Sequence, residues 1–430
     1  MPETDLISRR QAALGPTYQN FYDTPLHLVR GEGLSLWDAQ GREYLDSYNN
    51  VASVGHCHPQ VVEALCKQAA RLNTHTRYLH QGIVELGEML IEKLPGDIEV
   101  CLFVCTGTEA NDLAIQIARH VTGNRGVVVT EASYHGNSEL VRTLSTDSYP
   151  AADRPDWLAV IEPPNLYRGP FTRDQPDAGS QYLELAVREL DALERRGQKP
   201  AALLIDTVWD SNGPLIAPTD YVLGLCEEVR KRGGLIISDE VQSGYCRTGQ
   251  NWWGCQNYGF QPDIVTCGKP MGGGHPLALM ATTREIATAY SKKYHYFNTF
   301  GGNPVSAAVG KAVIEVIDHE KLLENARDTG AYLETRLREL AGKHEMIGDV
   351  QGCGLFWGLD MVSDPISKAP LSREQMRQLG SLIVQQGVIT GYSGRFGQIL
   401  KLRPPLPFSK SDADTAVTAI GRALEAFSHG

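Results

Sequence analysis

Gly233-Gly234-Leu235-Ile236-Ile237-Ser238-Asp239-Glu240-Val241-Gln242 is a short apolar run that ends abruptly in two carboxylates. Bounded by glycine, such a run predicts a buried parallel strand. A carboxylate at its C-terminal end lies where open α/β sheets place their ligands. About thirty residues later the pattern recurs: Asp263-Ile264-Val265-Thr266-Cys267-Gly268 predicts another strand, which delivers Lys269 into Pro270-Met271-Gly272-Gly273-Gly274. One strand presents an acid, and another presents a lysine beside a glycine-rich loop.

Working outward, helix and strand patterns alternate from about residue 84 to 320, which predicts an α/β fold with a mostly parallel sheet covered by helices. Strands are expected at 100–104, 126–130 and 201–205, the last ending in Asp206. Cys105-Thr106-Gly107-Thr108-Glu109-Ala110-Asn111-Asp112 turns the first of these into a helix over 113–120. Unpaired amides at such a helix start form a phosphate cup, and a threonine there also reads as a simple N-cap; the two readings are compatible. The stretch 150–181, rich in Pro, Asp and Gly, predicts a long surface loop. After residue 320, two helical stretches (321–343 and near 372–386), a glycine-rich strand region at 352–360, the run Ile399-Leu400-Lys401-Leu402 and a last helix suggest a smaller α+β unit. The expected organisation is an N-terminal segment of the small domain (1–60), a large domain (61–320) and a C-terminal small domain (321–430).

Composition excludes several functions. Of 430 residues, 42% are hydrophobic and 21% charged, and the net charge of −11 with no basic run argues against a nucleic-acid groove. No apolar run is long enough to span a bilayer, and the start Met1-Pro2-Glu3-Thr4-Asp5-Leu6 has no apolar leader, so a soluble cytoplasmic protein is expected, off the membrane. Nine scattered cysteines without a C-x-x-C pair read as reduced thiols. His56-Cys57-His58 resembles metal ligands, but no second cluster completes a site, and no metal is expected.

An acid and a lysine on neighbouring strand ends suit pyridoxal phosphate: the lysine forms a Schiff base with the cofactor aldehyde, and the carboxylate pairs with the pyridine nitrogen. Alone, either residue also reads as a surface lysine or a helix-capping aspartate. Tyr134, just after a strand, reads as a stacking partner for a flat ring or as a packing residue.

The set Thr106-Gly107-Thr108-Glu109-Ala110-Asn111-Asp112, Tyr134-His135-Gly136, Asp239-Glu240-Val241-Gln242, Gly268-Lys269 and Thr299-Phe300-Gly301-Gly302-Asn303-Pro304 resembles the class-III branch of fold-type-I pyridoxal-phosphate enzymes. The resemblance implies roles. Lys269 would be the Schiff-base lysine and general base and acid, and Asp239 would pair with the pyridine nitrogen. Val241 and Tyr134 would sandwich the ring, with His135 beside it and Gln242 near the phenolic oxygen. Gly107 and Thr108 would hold the phosphate, joined by Thr299 from the partner subunit of a homodimer.

Within the class the chain is similar to the ethanolamine-phosphate phospho-lyases, through Tyr44-Leu45-Asp46, Asn49-Asn50-Val51-Ala52, Val54-Gly55-His56-Cys57-His58-Pro59, Leu72-Asn73-Thr74 with Arg77, and Lys269-Pro270-Met271-Gly272. Lys401 stands where aminotransferases of the class often carry an arginine for a substrate carboxylate. A substrate with a phosphate and no carboxylate needs cations placed for a dianion. Arg77, Lys401 and Arg403 are the candidates, with Asn50 as a further substrate-binding residue. Asp206 departs from the Glu usual in the class, and Cys105-Thr106 from the commoner Asn-Ser.

The expected reaction is elimination of phosphate from phosphoethanolamine to give acetaldehyde and ammonia. Two alternatives stay open: an ω-aminotransferase, which uses the same lysine and aspartate, and a scaffold that binds without turnover.

Overall fold

In the computed structural model, which describes residues 3–18 and 20–429, the glycine-bounded run is the strand Leu235–Asp239. Met1 and Pro2, the start of the N-terminal segment, lie outside the described residues. The strand sits in the middle of a seven-stranded sheet ordered Ile98–Val104, Ala278–Thr283, Ile264–Cys267, Leu235–Asp239, Pro200–Asp206, Gly126–Thr130, Leu158–Ile161. Neighbours are parallel except for Ala278–Thr283, which runs antiparallel to both of its neighbours. Six strands therefore end on one edge of the sheet. The fold is the α/β architecture of the fold-type-I class.

Period-two alternation explains the two layers of helices. Leu203, Ile205, Ile236 and Val265 enter one core cluster with Tyr182 and Leu190 of the helix Ala178–Arg195 and Leu225 of the helix Thr219–Lys231. Ala202, Leu204, Ile237 and Ile264 enter the other, with Leu113 and Ile117 of the helix Gly107–Thr122. Both faces are thus apolar, and each fully buried Leu or Ile contributes roughly 2 kcal/mol. Only the strand ends are left for polar chemistry.

Two local expectations change. The helix expected over 113–120 begins at Gly107, because Thr106 caps it: the Thr106 side chain accepts from the Glu109 amide, and the Glu109 carboxylate accepts from the amides of Cys105 and Thr106. The stretch 150–181 is not all loop. It holds the edge strand Leu158–Ile161, in register with Gly126–Thr130, and the start of the helix Ala178–Arg195. Flanking prolines, Pro155 and Pro163, hide four apolar residues inside a polar composition. The reversed strand Ala278–Thr283 was not read from the sequence.

The C-terminal part is an antiparallel sheet, Ile347–Cys353, Phe356–Asp364, Ile399–Leu402 and Gly391–Ser393, with the helices Leu322–Ala341, Arg373–Gln385 and Lys410–His429. The N-terminal strands Leu28–Glu32, Ser35–Asp38 and Glu43–Asp46 form a separate sheet, completed by Val388–Ile389 pairing parallel to Glu43–Asp46. The segment after Asp46 is then tied to the one after Leu402: the Arg403 amide donates to the Ser47 carbonyl at 2.7 Å, and the Leu406 amide to that of Ser53 at 2.8 Å. This tie brings Asn50, Lys401 and Arg403 to the strand-end edge of the large sheet.

His56 and His58 do not face one another as a ligand pair. His56 Nε2 lies 2.6 Å from Asp46 Oδ2, and His58 Nε2 lies 3.0 Å from Glu320 Oε1. All nine cysteines are free thiols, with Cys57 and Cys66 exposed. Among the described residues no helix is long and apolar enough to cross a membrane.

Candidate active site

A cavity of about 370 Å³ opens at the strand ends, lined by Gly107, Thr108, Tyr134, His135, Asp206, Asp239, Val241, Gln242 and Lys269 among others. Each is placed by a strand or helix terminus, which is why residues from such distant parts of the chain meet there.

Asp239 closes its strand and is buried. Its Oδ2 accepts from Asn111 Nδ2 at 2.8 Å and lies 2.7 Å from His135 Nδ1, and its Oδ1 accepts from the Val241 amide at 3.1 Å. Asn111 is itself fixed: it donates to the His135 carbonyl at 2.8 Å and accepts from Thr266 Oγ1 at 2.6 Å. Asn111, His135 and the Val241 amide thus converge on one carboxylate and fix its orientation. Glu240, its neighbour in sequence, points elsewhere. It is fully buried and accepts from Ser238 Oγ, Ser243 Oγ and the amides of Gly254 and Cys255. Of the two carboxylates that end the run, one serves the cavity and the other pins a loop.

Lys269 begins a short 3-10 turn, Lys269–Gly272, held by the Ser53 hydroxyl donating to the Pro270 carbonyl at 2.7 Å. Burial pushes its amine below the usual lysine range, and the nearby Arg403 adds to that, against the opposing pull of Asp210 and Asp239. An amine held down in this way gives up its proton more readily than a free lysine's, as a nucleophile or base must.

Gly107 and Thr108 are the first two residues of a 16-residue helix. Their amides are first-turn donors aimed along the positive end of the helix dipole. A Cβ on Gly107 would come within 2.8 Å of Val241 Cγ2, and one on Gly136, at φ +144°, within 2.6 Å of Thr108 Oγ1. Only glycine allows these close approaches. Thr106, not Thr108, is the N-cap, so the Thr108 hydroxyl faces Asn137 Oδ1 at 3.2 Å. Tyr134 is half exposed at 48%, and Val241 is buried at 9%. Amide cup, apolar platform, buried anion and lysine fit the phosphate, ring, pyridine nitrogen and aldehyde of pyridoxal phosphate.

Behind the wall lies a second polar cluster. Lys401 Nζ donates to Asp210 Oδ1 at 2.8 Å, Gln242 Nε2 donates to Asp210 Oδ2 at 2.6 Å, and Arg403 Nη1 lies 3.6 Å from Asp210 Oδ1. Arg403 also donates to Gln242 Oε1, which accepts from Asn50 Nδ2 at 3.0 Å as well. The Arg403 guanidinium lies 5.0 Å from the Tyr48 ring centroid. Lys401 and Arg403 are both buried. Burial pushes the Asp210 carboxyl up, but Lys401 and Arg403 outweigh it and hold it below the ordinary value. Asn50 Oδ1 is buried without a partner among the described residues.

Arg77 and Thr299 stand apart. Both are exposed, and neither lines the cavity. They share one surface, where the Arg77 guanidinium stacks 4.0 Å from the Phe297 ring beside the exposed Tyr78, Leu79 and Phe300. Sequence reading missed Asn111 and Asp210. The signal for Asp210 was present, four residues beyond the strand end at Asp206; for Asn111 it lay in the helix turn already read as a phosphate cup.

The chain matches the family profile "Aminotransferase class-III" over residues 17–424. It is 37% identical to "Ethanolamine-phosphate phospho-lyase homolog 1" of Caenorhabditis elegans, across 98% of this chain and 93% of that one. It is 39% identical to "Alanine–glyoxylate aminotransferase 2 homolog 2, mitochondrial" of Arabidopsis thaliana, across 98% of this chain and 88% of that one. Among solved structures it resembles a phospholyase from Arthrobacter in complex with phosphoethanolamine, with TM-score 0.94, 38% identity and coverage of 98% of this chain and 100% of that one.

Proposed function

We propose that this chain, which belongs to the class-III aminotransferase family, is a pyridoxal-phosphate-dependent phospho-lyase that eliminates phosphate from a small phosphorylated amine, phosphoethanolamine in the first instance. The observation that carries the reading is the pair of buried cations, Lys401 and Arg403, beside the Lys269–Asp239 cavity and only half neutralised by Asp210. The solved phospholyase in complex with phosphoethanolamine, similar across nearly the whole chain, supports it.

Pyridoxal phosphate, when bound, supplies the electron-withdrawing ring that takes up the charge left by a departing proton. The Gly107 and Thr108 amides would hold its phosphate, and Asp239, fixed in place by Asn111 and His135, would hold its ring nitrogen. Lys269, its amine pushed down by burial, removes the proton from the amine-bearing carbon. Arg403, Lys401 and Asn50 bind the substrate phosphate, and the cations stabilise its departure with the C–O bonding pair. With one water, phosphoethanolamine becomes acetaldehyde, ammonia and inorganic phosphate.

Arg77 and Thr299 reach a site only from a second copy. Their common exposed surface, with Tyr78, Leu79 and Phe300, supports a homodimer in which each subunit lends the other a phosphate-binding cation and hydroxyl. An aminotransferase remains the second reading, favoured by the Arabidopsis relative, since Lys269 and Asp239 serve both reactions.

Cofactor-loaded protein incubated with phosphoethanolamine and no keto acid decides between them. Equal, sustained release of phosphate and acetaldehyde, absent in Lys269→Ala, is expected. No phosphate, but amine transfer to pyruvate from an ω-amine, makes it an aminotransferase.

A further inference from the structure

Two carboxylates, Asp206 and Asp239, line the strand-end wall of the cavity, and a third, Asp210, lies just behind it; Asp239 and Asp210 have side-chain partners. Asp239 has His135 and Asn111; Asp210 has Lys401, Gln242 and Arg403. Asp206 lies between the two. It stands in register with Asp239 on the neighbouring parallel strand, so both side chains leave the sheet on the same side and both line the cavity. Its Oδ1 accepts the Val208 amide at 3.1 Å and its Oδ2 the Asp210 amide at 2.7 Å, across a turn in which Trp209 is left-handed at φ 46°. Among the described residues no lysine, arginine or histidine pairs with it.

Three anions this close in a desolvated wall do not all ionise together. Asp210 keeps its charge beside Lys401 and Arg403, and of the two carboxylates that line the cavity Asp206 is the one whose hydrogen-bond partners are backbone amides alone. In line with that geometry, burial, then Asp210 and Asp239, push the Asp206 carboxyl up to about 7, against the two amides.

We infer that Asp206 sets which anions the substrate side accepts: as the neutral acid it leaves Lys401 and Arg403 in excess and admits a dianion, and as the carboxylate it cancels that excess and turns the dianion away. The charges that face it make this a matter of counting. Burial and Arg403 push the Lys401 amine down and Asp210 pulls it back; with Lys401 protonated, it and Arg403 bring two positive charges and Asp210 one negative, so the cluster is net positive by one with Asp206 neutral and net zero with it ionised. Asp239 is already committed to His135 and Asn111, Gln242 is neutral, and Lys269 and Tyr258 complete the titratable groups around it. The inference rests on the reading above of this pocket as a phosphate site, and it names the residue that makes the site selective for charge.

Sulfate, a dianion at all relevant pH, is the probe. Its binding to the cofactor-loaded enzyme is measured by calorimetry from about pH 6 to 8.5, a window bracketing the Asp206 transition. The wild type is expected to lose about tenfold in affinity on crossing pH 7, because one charge is added within a few ångströms of the ligand. Asp206→Asn, fixed in the neutral state, should stay within about twofold. Lys269 and His135 are unchanged in that variant, so the difference belongs to Asp206. Equal slopes in the two proteins, or no sulfate binding at the acid end, overturn the inference. Where Asp206→Asn does not fold, the wild type alone decides, since nitrate should lose only about the square root of what sulfate loses; a sulfate loss no greater than that of nitrate overturns it. Phosphate release from phosphoethanolamine is scored separately. Release with a flat sulfate profile leaves the lyase standing and removes this inference, and a steep profile without release does the reverse.

Discussion

The cofactor side and the substrate side of the cavity are both buried polar networks, yet they are built on opposite terms. Around Asp239 donors and acceptors are matched: Thr266 fixes Asn111, Asn111 fixes His135 and Asp239, and His135 reaches the same carboxylate. Around Asp210 the charges outnumber their partners. Lys401, Arg403 and Gln242 converge on one carboxylate, and among the described residues Asn50 Oδ1 has no partner and Asp206 no paired cation. A satisfied network holds a cofactor that stays; an unbalanced one waits for a ligand that comes and goes. The lesson is that buried charge is informative by its deficit as much as by its pairing.

The sharpest way to break the comparison is at the satisfied end. Asp239→Asn keeps the shape but removes the anion, and elimination should fall about 10³-fold, with weaker cofactor retention, measured by kcat and by dialysis against the bound cofactor's absorbance. At the unbalanced end, Arg403→Met should lower kcat/KM for phosphoethanolamine about a hundredfold, roughly 2.7 kcal/mol, while cofactor affinity is unchanged. If cofactor affinity falls as well, the two networks are one.

The smallest effect concerns stability. A carboxyl whose folded value lies above its unfolded value favours folding less as pH rises: for Asp206 the cost is absent below about 3.8, grows between there and about 7, and is fully present above. Asp206→Asn should therefore gain about 1–2 kcal/mol at pH 8 relative to wild type and lose that gain by about pH 4, read from urea unfolding at the two pH values. A gain that is the same at both would mean that Asp206 is ionised throughout.

The same contrast separates what was legible in the chain from what was not. Lys269, Asp239 and the Gly107-Thr108 turn stand directly at strand or helix ends, so a buried run followed by one polar residue locates them. The cation cluster was legible only as residue types. That Lys401 and Arg403 share Asp210, and that Arg403 and Asn50 both reach Gln242, depends on the tie between the segments after Asp46 and after Leu402, which no local pattern encodes. Leu158–Ile161 escaped because composition over a long window outvoted four residues, and Ala278–Thr283 because an apolar strand carries no mark of its direction.

That reversed strand has a mechanical consequence. The chain leaves the sheet after Cys267 and re-enters it at Ala278, so the turn carrying Lys269 is moored at both ends to neighbouring, hydrogen-bonded strands. The backbone under the lysine has nowhere to travel. Every displacement between its roles falls to the four-carbon arm above it, a pendulum hung from a fixed pivot whose reach is set by covalent geometry.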